Sequence, residues 1–236
     1  MAPIVPRSRL PLVVAAAVAS ALLTAFGLLA DEVLEGDTVA FDRALTLLLR
    51  ENGDVNDPLG PRWLEEAARD LTSLGSFSVL AIVVALAAGT MLAVGRRTTA
   101  LYLAFATLAG TIISQLLKAV FDRPRPDVEA ATHVFTASFP SGHSMLSAVV
   151  YLTIAIVIAE ATDNRRLRIL YLCAGPLLSV IVGLSRVYIG VHYPTDVLAG
   201  WSLGAAWALL CWIGAAALRL GRGHTPLEAG GKRAPP

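Results

Sequence analysis

Residues 100–121 read ALYLAFATLAGTIISQLLKAVF and carry a single charged side chain, Lys118. About 20 apolar residues cross a hydrocarbon core of roughly 30 Å as one helix, so this run predicts a membrane span with a lysine near its end. Five further stretches have the length and polarity to do the same: 10–30, 77–95, 144–161, 169–185 and 197–218. Two of them, 144–161 and 169–185, are short and need a few interfacial residues at their ends. Backbone groups cannot stay unpaired in lipid, which predicts helices rather than open strands. The weak alternating segments of a membrane barrel are missing from the sequence. The fold class expected is all-α, a polytopic membrane protein of six transmembrane helices.

Composition agrees. Of 236 residues, 56% are hydrophobic and 16% charged, against about 45–50% and 25% in soluble domains. The balance of 19 basic to 18 acidic residues excludes a polybasic nucleic-acid binder. Cys173 and Cys211 both lie in apolar runs and read as small hydrophobes rather than a disulfide.

The connecting segments sort by charge. Arg7 and Arg9 precede the first span, Arg96 and Arg97 follow the second, and Arg165, Arg166 and Arg168 follow the fourth. Arg219, Arg222, Lys232 and Arg233 come after the sixth. The positive-inside rule places all of these, and both termini, on the cytoplasmic side. Segment 31–76 holds eleven acidic and four basic residues and is expected outside, with the loops at 122–143 and 186–196. The first run could instead be a secretory signal peptide, but it is longer than such segments and lacks a good cleavage site. Residues 1–221 form one expected domain, and 222–236 a loose cytoplasmic tail.

Within 31–76, Leu45, Leu48 and Leu49 share a helical face, as do Trp63, Ala67, Leu71 and Leu74. Two short amphipathic helices in the membrane interface are expected. Asn52-Gly53 and Asp57-Pro58-Leu59-Gly60 supply the turn between them. A packing cap and a lipid-entry lid are equally good readings of the segment.

Three clusters carry charge where membrane helices rarely tolerate it. Lys118 leads through Arg123 to Arg125-Pro126, with two prolines to stop the helix and stiffen the loop. Taken alone, Lys118 could be a snorkelling side chain; the three cations together want an anion. Pro140-Ser141-Gly142-His143-Ser144 opens the fourth span. A glycine at a helix mouth lets free N–H groups approach an anion, although Ser141 or Ser144 could be a plain N-cap. Ser185-Arg186 closes the fifth span, and His192, Pro194 and Asp196 lead into the sixth. Proline is favoured at the first helical position, which puts Asp196 in the first turn, able to reach back to His192. A carboxylate on Nδ1 leaves Nε2 as the basic nitrogen; an interfacial histidine with a capping aspartate is the bland alternative. Topology brings the clusters together, because spans three and five end where four and six begin. A pocket of cations, helix N-termini and two histidines suits a dense anion, and phosphate is the one expected.

At these residues the chain resembles the type-2 phosphatidic acid phosphatase superfamily, which includes vanadium haloperoxidases and bacterial acid phosphatases. All three family motifs are present: Lys118 with Arg125-Pro126, Pro140-Ser141-Gly142-His143, and Ser185-Arg186 with His192 and Asp196. The resemblance implies that His192 is the nucleophile forming a phosphohistidine, that Asp196 orients it, and that His143 protonates the leaving group. It implies phosphate binding by Lys118, Arg125, Arg186, Ser141 and Gly142, with no metal and no cofactor. Arg123, His133 and Tyr188 lie nearby and receive no role; His133 reads as a solvated loop residue.

The expected function is a membrane enzyme hydrolysing a lipid phosphate or diphosphate at the outer face of a bacterial inner membrane. Phosphatidic acid, phosphatidylglycerophosphate and undecaprenyl diphosphate are the substrates the resemblance implies. Phosphotransfer to a lipid acceptor is the alternative within the same chemistry. An anion channel or carrier is the alternative outside it, disfavoured by the paired histidines with a carboxylate at i+4.

Overall fold

The computed structural model describes residues 10–127 and 136–222, and their regular structure is helical. In chain order the helices are α1 (Leu10–Glu35), α2 (Val39–Leu47), α3 (Arg62–Ser73), α4 (Phe77–Ala93), α5 (Arg97–Phe121), α6 (Gly142–Ala161), α7 (Arg165–Ile189) and α8 (Pro194–Arg222). Five of these, α1, α5, α6, α7 and α8, are long and apolar enough to cross a bilayer. A sixth span results when α4 is joined to α3, from which it is bent by 49°. Arg7, Arg9, His133 and the tail beyond Arg222 lie outside the described residues.

The two runs expected to be short become helices of 20 and 25 residues, α6 and α7. Backbone pairing carries α7 out through its arginines until Asn164 caps it, accepting from the N–H groups of Arg166 and Leu167. Helix ends therefore outrun apolar runs wherever long basic side chains can snorkel. Cys173 and Cys211 are free, as expected.

Helix α6 is the axis of the bundle, packing against α4, α5, α7 and α8, and every side chain from Ser144 to Tyr151 is buried. Small residues let its neighbours close in. A Cβ at Gly200 of α8 would lie 2.7 Å from the Ser141 carbonyl oxygen, and one at Gly204 would run into that of Met145. Without a hydrophobic drive between helices in lipid, such close backbone approach is a main source of packing energy. At the α3–α4 break, a Cβ on Gly75 would meet Val182 and His143. Helix α1 packs along α8, and its Phe26 joins Phe121 and Phe139 in an aromatic cluster below the loop after α5.

The outer segment forms its two short helices and its turn, with positive φ at Asn52, Gly53 and Gly60. Exposed apolar side chains on both helices fit the expected interfacial placement, and the faces turned to the bundle are the following. The leucine face of α2 is partly covered: Leu48, its C-cap, is 71% exposed, while Leu45 and Leu49 are half-buried. The buried stripe is polar: Thr38, Asp42, Thr46 and Arg50, one residue every four. On α3 the inward face carries Leu64, Ala68 and Thr72, while Trp63 and Leu71 are exposed. The apolar-inside rule holds for a helix between water and a protein core. It inverts where the outside is lipid and the inside is a polar site.

Candidate active site

Four helix ends meet at one end of the bundle: the C-termini of α5 and α7 and the N-termini of α6 and α8. The two N-termini are tied directly, the Ser141 N–H donating to the Asp196 carbonyl at 2.9 Å. Among the residues singled out from the sequence, Lys118, Arg125, Ser141, Gly142, His143, Arg186, His192 and Asp196 all lie at this end.

His192 sits in the short connection between α7 and α8 and is 1% exposed. Its Nε2 lies 3.1 Å from an Arg125 guanidinium nitrogen, and its Nδ1 lies 3.4 Å from Asp196 Oδ2. Arginine can only donate, so Nε2 is the acceptor and the ring hydrogen belongs on Nδ1, facing the carboxylate. Burial, followed by the charges of Arg186, Arg125 and Lys118, holds the imidazole well below its ordinary pKa. The ring is neutral, with its lone pair turned toward the cations. The reach of Asp196 back to His192 is therefore present, as a long contact.

Lys118, in the last turn of α5, is buried and donates to the Ala137 carbonyl at 2.5 Å. Arg125 bonds the carbonyls of Thr136 at 2.8 Å and Val191 at 2.7 Å. These contacts staple the loop after α5 to the α7–α8 connection. Arg186, the last basic residue of α7, reaches Thr72 of α3 at 3.2 Å. Its Nε is buried and has no partner among the described residues, leaving the guanidinium with a donor for an anion.

At the mouth of α6, Ser141 is the N-cap, accepting from the Ser144 N–H at 3.5 Å and the Ser144 hydroxyl at 3.0 Å. The plain capping role is thus observed; accepting both bonds, Ser141 keeps its own hydroxyl hydrogen to donate. A Cβ on Gly142 would stand 3.4 Å from the Lys118 side chain, so the glycine faces the lysine. Half-buried His143 follows it, within the electrostatic reach of Arg186, His192, Lys118 and Arg125.

Arg123 corrects the expectation of three free cations. It donates to Asp196 Oδ1 at 2.5 Å and to Asp42 Oδ2 at 2.7 Å, and to the hydroxyls of Thr195 at 2.9 Å and Thr38 at 3.1 Å. Its guanidinium also lies 4.4 Å over the Tyr193 ring. Burial alone would lower its pKa, but the carboxylates of Asp196 and Asp42 outweigh it and raise the value. This arginine is consumed by carboxylates. Asp42 and Thr72 were missed by sequence reasoning; the signal for Asp42 was the polar residue at every fourth position from Thr38 to Arg50. Tyr188 bonds the Leu59 carbonyl at 3.0 Å and braces the outer segment.

Residues 99–219 match the family model of the PAP2 superfamily. Phosphatidylglycerophosphatase B of Bacillus subtilis (strain 168) is 35% identical over 144 residues, 60% of this chain and 70% of that protein. Undecaprenyl-diphosphatase BcrC of the same organism is 34% identical over 109 residues, 43% of this chain and 50% of that protein. The crystal structure of a transmembrane PAP2 type phosphatidylglycerolphosphate phosphatase from Bacillus subtilis superposes with a TM-score of 0.75 at 28% identity, covering 85% of this chain and 96% of that one.

Proposed function

This chain belongs to the PAP2 superfamily and is a membrane lipid phosphatase, and we propose that it cleaves its substrate through a phosphohistidine on His192. The substrate class is a lipid phosphomonoester or diphosphate, with phosphatidylglycerophosphate, phosphatidic acid and undecaprenyl diphosphate as candidates. The observation that carries the reading is the placement of the buried His192 ring, with Nδ1 3.4 Å from Asp196 Oδ2 and Nε2 3.1 Å from Arg125.

In the first step the Nε2 lone pair attacks phosphorus and the bond to the leaving oxygen breaks. His143 delivers a proton to that oxygen, releasing an alcohol from a monoester or a phosphate monoester from a diphosphate. Asp196 balances the positive charge that forms on the His192 ring, as a carboxylate does for an imidazolium. Lys118, Arg125 and Arg186 hold the equatorial oxygens, where negative charge spreads in phosphoryl transfer. The Gly142 N–H and the Ser141 hydroxyl complete the cradle at the α6 N-terminus. Water, deprotonated by His143, then attacks phosphorus and frees His192 and inorganic phosphate.

Three cations stand where a metal-dependent phosphatase would gather carboxylates, which supports a metal-independent reaction. The site lies at the opposite helix ends from Arg96, Arg97, Arg165, Arg166 and Arg168, which supports an outward-facing site under the positive-inside rule. The relatives from a bacterium support a place in a bacterial plasma membrane.

The test is phosphate release from a panel of detergent-solubilised lipid phosphates, with EDTA and with His192→Ala. Free phosphate that persists in EDTA and vanishes in the variant is expected. Activity retained by His192→Ala would overturn the mechanism, and phosphate recovered on a second lipid instead of in solution would replace hydrolysis with phosphotransfer.

A further inference from the structure

We propose that Asp42, carried by the outer helix α2, is a positioning residue that keeps Asp196 on His192. The proposal rests on the assignment of His192 and Asp196 to the reaction. Asp42 lies outside the stretch 99–219 that matches the family model.

Asp42 is 0% exposed although it sits on a nine-residue helix of the outer segment. Every acceptor it offers is used across the fold. Its Oδ1 accepts the Thr195 backbone N–H at 3.0 Å. Its Oδ2 accepts the Thr195 hydroxyl at 2.6 Å and Arg123 at 2.7 Å. Thr195 is the second residue of α8, whose first turn has N–H groups without intrahelical partners. Asp42 thus caps α8 from another helix, with the dipole of α8 favouring its charge.

The same carboxylate fixes Arg123, which in turn fixes Asp196. The guanidinium bridges two fully buried carboxylates, bonding Asp42 with one nitrogen and Asp196 Oδ1 with the other. That leaves Oδ2 of Asp196 for the Tyr193 N–H at 3.0 Å and for His192 Nδ1 at 3.4 Å. Along this chain of contacts the His192 link is the longest, so it gives way first when anything upstream shifts. If Asp42 is neutralised, Arg123 keeps one carboxylate instead of two and Asp196 becomes its sole counter-charge. That stronger pull draws Asp196 toward Arg123 and away from the ring. Lys118, Arg125 and Arg186 make none of the contacts of Asp42, so phosphate binding should be spared.

That separation defines the test, on the full-length protein in detergent. Asp42→Asn should lower kcat for lipid phosphate about 10- to 100-fold, the range for losing one charged hydrogen-bond partner. KM and the inhibition constant for inorganic phosphate should stay within about 2-fold, because ground-state binding is untouched. In a double-mutant cycle, Asp42→Asn added to Asp196→Asn should cost little more than Asp196→Asn alone, since groups acting as one unit are not additive. Arg123→Lys, whose single ammonium cannot bridge both carboxylates, should repeat the pattern if Asp42→Asn fails to accumulate. Wild-type kcat in the variant that accumulates, full additivity in the cycle, or phosphate affinity falling in step with kcat would each overturn the proposal. His192→Ala is assayed alongside. Turnover surviving there would overturn the histidine mechanism and this proposal with it; an inert His192→Ala beside a fully active Asp42→Asn overturns this proposal alone.

Discussion

Gly200→Ala adds a single methyl group at a close approach of α8 to the mouth of α6. The new carbon would lie 2.7 Å from the Ser141 carbonyl oxygen, 2.9 Å from Ser144 Cβ and 3.1 Å from the Met145 nitrogen. Two of these are backbone atoms that cannot rotate away. Ordinary contact begins near 3.4 Å, so the helices must part by about 0.7 Å. Overpacking of this kind costs about 1–3 kcal/mol, and at this chain length about 2–4 °C of Tm per kcal/mol. The displaced atoms belong to the turn that carries Ser141, Gly142 and His143, while Gly200 lies one turn beyond Asp196. Misplacing reacting groups by about 1 Å can cost 100-fold, so kcat for phosphate release should fall about 10- to 100-fold. The assay is released phosphate from a solubilised lipid phosphate, with thermal unfolding measured on the same preparation. Gly89→Ala is the control, because nothing lies within 4 Å of its added carbon; it should leave kcat unchanged and be neutral or stabilising by up to about 1 kcal/mol. Wild-type kcat and Tm in Gly200→Ala would refute the geometry of the α6–α8 contact.

Two further expectations follow from the charges of the site. The His192 pKa is depressed by burial and by Arg186, Arg125 and Lys118, so below pH 6.5 the unfolded chain takes up a proton that the native state refuses. Stability then falls with acidification, by about 1.4 kcal/mol per pH unit from this group. Wild-type Tm should consequently drop more between pH 7 and pH 5 than that of His192→Asn, and equal drops would contradict a neutral buried ring. Arg125→Lys should lower kcat/KM about 10- to 100-fold, because an ammonium cannot replace a guanidinium that bonds two loops and the His192 nitrogen together. An unchanged kcat/KM would show that the fork geometry is dispensable.

Much of this site is legible in the sequence because topology forces it. Once alternate spans end and begin on the same side, Lys118, Arg125, His143, Arg186, His192 and Asp196 must gather there, whatever the packing details. The i+4 spacing of His192 and Asp196 across a proline-started helix is local and readable too. Asp42 was not readable by the same logic. Its partners Arg123 and Thr195 are distant in sequence, and the leucine face of its helix points the reading to the membrane interface rather than to the site. The polar stripe of Thr38, Asp42, Thr46 and Arg50 is the face turned to the site, and nothing local in the sequence names the partners it meets there. Arg123 illustrates the other difficulty. Side by side with Arg125 in Arg-Pro-Arg-Pro, it has the same chemistry but the opposite duty: its guanidinium is taken up by carboxylates, while that of Arg125 reaches the histidine.

The most direct trial of the whole account is to capture the covalent intermediate. A lipid phosphate labelled on phosphorus is mixed with the enzyme, quenched in denaturant at alkaline pH, where a phosphoramidate survives, and digested to locate the label. Label on His192, absent from His192→Ala and undiminished by EDTA, is the predicted result. Rapid turnover with label on another residue, or with none on the protein while His192→Ala still releases phosphate, would contradict it.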